Sequence, residues 1–504
     1  MLIVLAWTAT IIALFYGEEN WRGRRAWNKY RQELEARGEQ LDYKTFIPKP
    51  IPDEQNFAAT PFIESWFSQR TNAGKRWADD FDRARWRVAS PKSNDHKGDR
   101  RLIDLVAWQM VFDAIGSGKF KPGQTFASNQ FDPESRGQAA PAVLRGLKTS
   151  DANLEQLRAA SRRPSSRYPV VYDLENPWGI LIPQLANLKD AVARLQLKAC
   201  AELAAGQSDK ALDDVKLMLY LADSMKEEPI LMSYAVRLAC FQVAVQPMWE
   251  GLAEHRWSDG QLQDLERRLQ QYHFLADLKP PLAAERATGI LTADLLYGQK
   301  YRLSTLDGGD DAGSRLTLSD WMGRIAPHGW YYQEQLNYCR LYQNQLGGTF
   351  DPAQKRVFPN QIEDHAHQLE KEIAGGRLGK TLSAIIHHRV LGSLLLPSLG
   401  KLPLRAATAQ TAADQAALAC ALERCRLANG QFPEKLEELA PRFILQLPND
   451  VLTGEPYKYR RNQAGGFVLY SIGWDGKDDG GVPGRVLFDE EQGDWVWQYP
   501  VNKQ

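Results

Sequence analysis

The chain opens on a run of 16 residues without a charged side chain, MLIVLAWTATIIALFY, and this run constrains the rest of the molecule more than any other feature. As a helix it rises about 24 Å at ~1.5 Å per residue, a little short of the roughly 30 Å hydrocarbon core of a bilayer. Trp21 extends the segment into the far interface, where aromatic rings collect. A cleaved signal peptide is the rival reading. It asks for a basic segment ahead of the apolar run and a small-x-small site behind it, and neither is clean here. A buried helix of a soluble fold is the third reading. A transmembrane signal-anchor fits best, and the missing basic segment suggests a start further upstream. Arg22, Arg24, Arg25 and Lys29 follow the run, and the positive-inside rule would hold them in the cytoplasm.

Composition narrows the partners. The 62 Lys and Arg balance 62 Asp and Glu over 504 residues, so the chain lacks the net basic charge that duplex nucleic acid requires, and no nucleic-acid partner is expected. That length suggests two to four domains at about 150 residues each. The five cysteines are too few and too scattered for a disulfide framework. Cys420 and Cys425 diverge on a helix, and Cys200 and Cys240 sit among Leu, Ala and Val as buried thiols.

Four segments follow from patterning. Residues 1–17 are the anchor. Residues 18–100 form an aromatic-rich stalk, with a short helix over 27–36 and then Pro48, Pro50, Pro52 and Pro61, which forbid a long helix and predict an extended stretch lying on the main body. Residues 101–405 form a helical body. Leu212, Val215 and Leu219 make one stripe of a helix over 208–224, and Ser258 with Gln261 spells a capping box ahead of Leu262, Leu265 and Leu269. Similar patterns predict helices over 180–205, 229–254, 277–299, 328–346 and 360–374. The hairpin of 190–206 and 208–224 is tetratricopeptide-like, but no period of 34 residues is sustained, so the body reads as an irregular helical array. In residues 406–504 an Ala-rich helix stops at Asn429-Gly430, with Pro433 beyond. Three strands then follow around Tyr457 and Tyr459, over 467–472, and at Trp495, Trp497 and Tyr499. The fold class is therefore mainly α, with a small C-terminal α+β domain containing an antiparallel sheet and one N-terminal transmembrane helix.

The tail carries a resemblance. LERCRLANGQFPEKLEEL, LPNDVLTGEPYKYRR and GGFVLYSIGWDGKDDGG occur in that order. This resembles the C-terminal domain of the type II secretion major (G-type) pseudopilin, a helix, N-G-x-[YF]-P, a D-x-x-[GT]-G-x-P turn-strand and an S-x-G-x-D-G strand-loop. The matching positions are Asn429, Gly430, Pro433, Asp450, Gly454, Pro456, Tyr457, Tyr459, Ser471, Gly473, Asp475 and Gly476. The resemblance implies calcium in the last loop. Clustered carboxylates with glycines suit a hard cation that wants six to eight oxygens, which makes Asp475, Asp478 and Asp479 the candidate ligands of a structural ion. The spacing is not that of an EF-hand. The chain as a whole is similar to large membrane-anchored envelope proteins of the Planctomycetes–Verrucomicrobia group. That resemblance implies a single-pass bacterial membrane protein with its body on the extracytoplasmic side, against the positive-inside argument, and no particular activity.

Other motifs are weak. His365 and His367 are two apart on a helix and point away from each other, His387 and His388 are adjacent, and zinc on a helix favours four-residue spacing. Gly116-Ser117-Gly118-Lys119 lacks the earlier glycine of a phosphate loop, and Phe120 stands where Ser or Thr belongs. Asp307-Gly308-Gly309-Asp310-Asp311 reads as a flexible acidic linker. No G-x-S-x-G or H-E-x-x-H occurs. The expectation is a non-enzymatic interaction scaffold with a protein partner in the envelope. An extracytoplasmic hydrolase with its site in the helical body, and a secretion or pilus-like filament component, are the alternatives.

Overall fold

The computed structural model describes residues 1–68, 79–88, 98–121, 123–128, 130–298, 300, 325–374, 384, 387–462 and 465–499. The acidic linker expected at 307–311 lies outside the described residues. The first helix, α1 (Leu2–Ala36), runs for 35 residues without interruption and is long and apolar enough to cross a membrane. The short helix expected over 27–36 is thus the far half of the anchor helix. Nothing between Gly17 and Ala26 breaks it, because the segment holds no proline and its charges pair along the helix. Arg22 meets Glu18 and Glu19, and Arg31 meets Glu35 at 2.7 Å. The two halves differ in surroundings. Only 6% of the most apolar window is buried, whereas Glu19, Gly23, Trp27 and Leu34 form one buried stripe beyond it.

Residues 37–66 follow the surface of the body, as the prolines require, through short 3-10 turns at Tyr43–Phe46 and Asp53–Gln55. Asn56 clamps this stretch, accepting from the Arg167 N–H at 2.8 Å and donating to the Arg167 carbonyl at 2.9 Å. Phe57, Ile63 and Trp66 bury their side chains in the main core.

The helical body contains α2 (Leu105–Gly116), α3 (Pro133–Leu147), α4 (Asp151–Ala160), α5 (Gln184–Ala204), α6 (Ser208–Asp223), α7 (Leu231–Ala253), α8 (Asp259–Leu269), α9 (Lys279–Tyr297), α10 (His328–Leu346), α11 (Pro359–Ile373) and α12 (Val390–Leu395). The α8 capping box forms as its sequence predicts, Ser258 and Gln261 each satisfying the other's backbone N–H. The expected 180–205 helix starts later, at Gln184, because Pro183 occupies its cap. A minor core gathers Phe81, Trp108, Phe112, Val143 and Leu147. The main core runs from Trp27 to Trp497 and is continuous across residue 405.

The long C-terminal helix, α13 (Leu402–Asn429), starts one turn before the expected position, since Pro403 in a first turn sacrifices no hydrogen bond. It ends on Gly430 at φ 81°, a left-handed cap. Ala406, Ala413, Leu418 and Cys420 on it are fully buried. The helix is buried on all sides along residues 409–425, its polar Gln410, Asp414 and Gln415 included, and its alanines let neighbours approach closely. The tail forms the antiparallel sheet β3 (Lys458–Arg461), β4 (Phe467–Ser471) and β5 (Trp495–Gln498), in that spatial order, apart from the small hairpin β1 (Phe350–Asp351) and β2 (Arg356–Val357). Register pairs Lys458 with Tyr470, and Ser471 with Trp495. The Gln415 amide donates to the Trp495 carbonyl at 2.7 Å and the Trp249 indole to the Gln498 carbonyl at 3.0 Å, so the sheet is fastened to α13 and α7. All five cysteines are buried free thiols.

Candidate functional site

The loop from β4 to β5 holds the three aspartates singled out by sequence. Gly473 starts it at φ 76°, where an added Cβ would lie 2.2 Å from the Gly493 carbonyl oxygen, so the two ends of the loop touch backbone to backbone. Asp475 accepts from the Lys477 N–H at 3.1 Å. Asp478 accepts from the Gly480 N–H at 3.0 Å and from the Tyr470 hydroxyl at 3.1 Å. Asp479 gives its own N–H to Asp494 at 3.3 Å. Asp494 is the organising residue that sequence reading missed. It is buried, and its other oxygen accepts from the Gly481 N–H at 2.6 Å. Burial pushes its carboxyl above the usual range, and the nearby Asp478 and Asp479 carboxylates push the same way, against the two N–H donors. A signal for it existed. Once the strands at 467–472 and 495–498 pair antiparallel, the residue before Trp495 must stand beside the loop that follows Ser471.

The three predicted side chains are therefore in one loop but not gathered as one ligand set. Among the described residues no group of three or more His, Cys, Asp or Glu side chains is placed to hold a metal ion. The loop as it stands is held by Asx-type hydrogen bonds to its own backbone.

A cavity of about 310 Å³ lies beside the loop, between it and the start of α11, lined by Arg356, Phe358, Gln361, Thr453, Trp474 and their neighbours. Among the described residues no carboxylate, imidazole or thiol lines it. Among the described residues the carboxyls pushed up furthest are not in its lining, while Asp450, raised by burial, accepts from the Leu452 N–H just behind it. Burial pushes Glu334 up to about 8, Glu228 and Glu285 up to about 7, and Asp414 up to about 7. Burial and its neighbour Asp214 push Glu202 up to about 8. Each of three serves packing: Glu334 caps the Leu391 N–H at 2.5 Å, Asp414 takes the Gln410 amide at 3.0 Å and the Tyr457 hydroxyl at 3.2 Å, and Glu228 takes the Gln184 amide at 2.9 Å.

The weaker motifs resolve as their spacing implies. His365 meets the Gln345 carbonyl at 3.3 Å while His367 faces solvent beside Glu370. The His388 ring lies 5.0 Å from the Trp330 ring, tilted 52° to it. Gly116 ends a helix, whereas a phosphate loop has to begin one. Comparison with known proteins adds no relative: no family model, no curated protein and no solved structure matches the chain.

Proposed function

We propose that this chain is a single-pass, membrane-anchored envelope protein whose helical body is an extracytoplasmic interaction scaffold. One observation carries the reading. α1 passes without a break from an exposed apolar half into a half built into the body, so the body is rigidly continuous with its anchor. The inner half of α1 is occupied by α10, through the Gly23 and Gly329 crossing, which leaves the exposed apolar half for lipid. A hydrolase needs convergent acid and base groups in a cleft. Among the described residues no raised carboxyl lines the 310 Å³ cavity. Sidedness is tested by adding protease to spheroplasts: digestion of the body to an anchor fragment supports the extracytoplasmic placement, and full protection until lysis refutes it.

Calcium in the last loop belongs to the same proposal through the pseudopilin resemblance. What supports it is the mutual repulsion of Asp478, Asp479 and Asp494, which a divalent ion would relieve. Binding asks Asp475 and Asp478 to exchange their present hydrogen bonds for the ion.

A further inference from the structure

The end of the body nearest the anchor gathers aromatic side chains. α1 and α10 run side by side in the same direction: Gly23 lies against Gly329, and the Arg340 guanidinium lies 5.5 Å from the Tyr30 ring. The Asn20 side chain accepts from the Gly329 N–H at 2.8 Å, and the Tyr16 hydroxyl donates to the Ile325 carbonyl. These contacts place residues 325–332 at the height of residues 16–23, within about 10 Å of the last apolar residue of the anchor at ~1.5 Å per residue. This is the depth of the headgroup layer.

The side chains at that height are aromatic. Trp21 is 62% exposed with the Arg25 guanidinium 5.2 Å over its ring. Tyr297, at the end of α9, is surrounded by the rings of His328, Tyr331 and Tyr332 at 4.6, 6.0 and 6.1 Å. Trp330 stands on His388, and Ile325 is 60% exposed. Exposed apolar and aromatic side chains gathered in one zone need a covering. The zone adjoins the exit of the anchor helix, so the covering at hand is the bilayer that holds α1. Tyr and Trp favour this layer because one end of each ring is apolar and the other is wet. Arg24 and Arg25, exposed and without an ion-pair partner among the described residues, are placed to meet lipid phosphates.

Resting on the anchor reading above, we propose that Trp21, Tyr297, Trp330 and Ile325 form an interfacial collar. The body is thereby seated on the lipid headgroups of its own membrane, not held away on a stalk. The seat fixes which faces of the scaffold remain free for a partner.

The test is tryptophan quenching of the full chain in phosphatidylcholine vesicles, with bromine placed either near the glycerol end or near the methyl end of the acyl chains. Trp7 reports the anchor, and Trp21 with Trp330 report the collar. The expected result is that Trp7→Phe removes quenching by the deep bromines, while the Trp21→Phe, Trp330→Phe double variant loses the component quenched by the shallow bromines and keeps the deep one. Trp21→Phe alone must lower the shallow component, and since that side chain is largely exposed the variant folds; unchanged melting checks this. If the deep component is present and depends on Trp7, but shallow quenching is the same in all collar variants, the collar is wrong and the anchor stands. If no deep quenching occurs, the anchor reading itself fails and the collar with it.

Discussion

Replacing Gly23 by alanine probes the join between anchor and body. A Cβ at residue 23 would lie 2.3 Å from the Gly329 oxygen and 2.9 Å from its Cα, and those atoms are backbone and cannot swing aside. Reaching an ordinary contact of about 3.4 Å requires the two helices to part by roughly 1 Å. Overpacking costs about 1–3 kcal/mol, and a Cβ 2.3 Å from backbone that cannot swing aside stands in the upper part of that range, about 2–3 kcal/mol, while alanine returns about 1 kcal/mol of helix propensity. The balance is a local loss of about 1–2 kcal/mol, which corresponds to roughly 5- to 30-fold faster opening of the inner half of α1. Hydrogen exchange of the full chain in nanodiscs reads this directly, at the amides from Trp27 to Leu34. Gly329→Ala should act in the same direction, because its Cβ would meet the Glu19 oxygen at 2.0 Å. Gly17→Ala, with nothing within 4 Å, should leave those amides unchanged. Slower or unaltered exchange in Gly23→Ala would mean that propensity outweighs contact, and would refute the close crossing.

Three further outcomes follow from the same physics. Arg136 is buried against Glu250 and Glu254, so Arg136→Ala strands two carboxylates and should cost about 3–5 kcal/mol in urea unfolding, with Glu250→Ala in the same chain restoring part of it. Glu334 rises from 4.5 to about 8 because it is buried, so the folded state favours its neutral form; stability from this group is full below pH ~4.5 and is lost as pH rises to ~8. Glu334→Gln, which keeps an acceptor for the Leu391 N–H, should flatten the fall of melting temperature between pH 5 and 9 by the share this group contributes, and an unchanged slope would contradict its burial as an acid. For calcium, EDTA should lower the melting temperature of the full chain by several degrees and Asp475→Ala should abolish the difference; melting that ignores the chelator removes the ion from the account.

Much of this fold was legible because helices advertise their buried face. The stripe of Leu212, Val215 and Leu219, the Ser258 box and the Gly430 stop all act within one or two turns, and the 328–346 helix spans those same residues in the structure. The strands at 458–461, 467–471 and 495–498 were readable from alternation for the same reason. What escaped is non-local. Nothing near Gly23 reveals that Gly329 will sit against it, and nothing near Arg136 names Glu250 or Glu254. The anchor was visible but its continuation was not, because a polar segment with paired charges breaks the apolar pattern without breaking the helix. At the last loop, residue type pointed to three aspartates. Strand pairing, which composition does not encode, brought in Asp494, while Asp475 and Asp478 accept from backbone N–H groups of the loop itself.

The central claim is that α1 holds this body to a membrane, and alkaline carbonate extraction of membranes from cells making the full chain tests it most directly. The wild type should stay in the pellet. Leu5→Lys with Ile12→Lys, two exposed positions whose charges cost about 2.5–3.5 kcal/mol each at mid-helix, should move the chain to the supernatant with its melting temperature unchanged. Release of the wild type by carbonate would contradict the account.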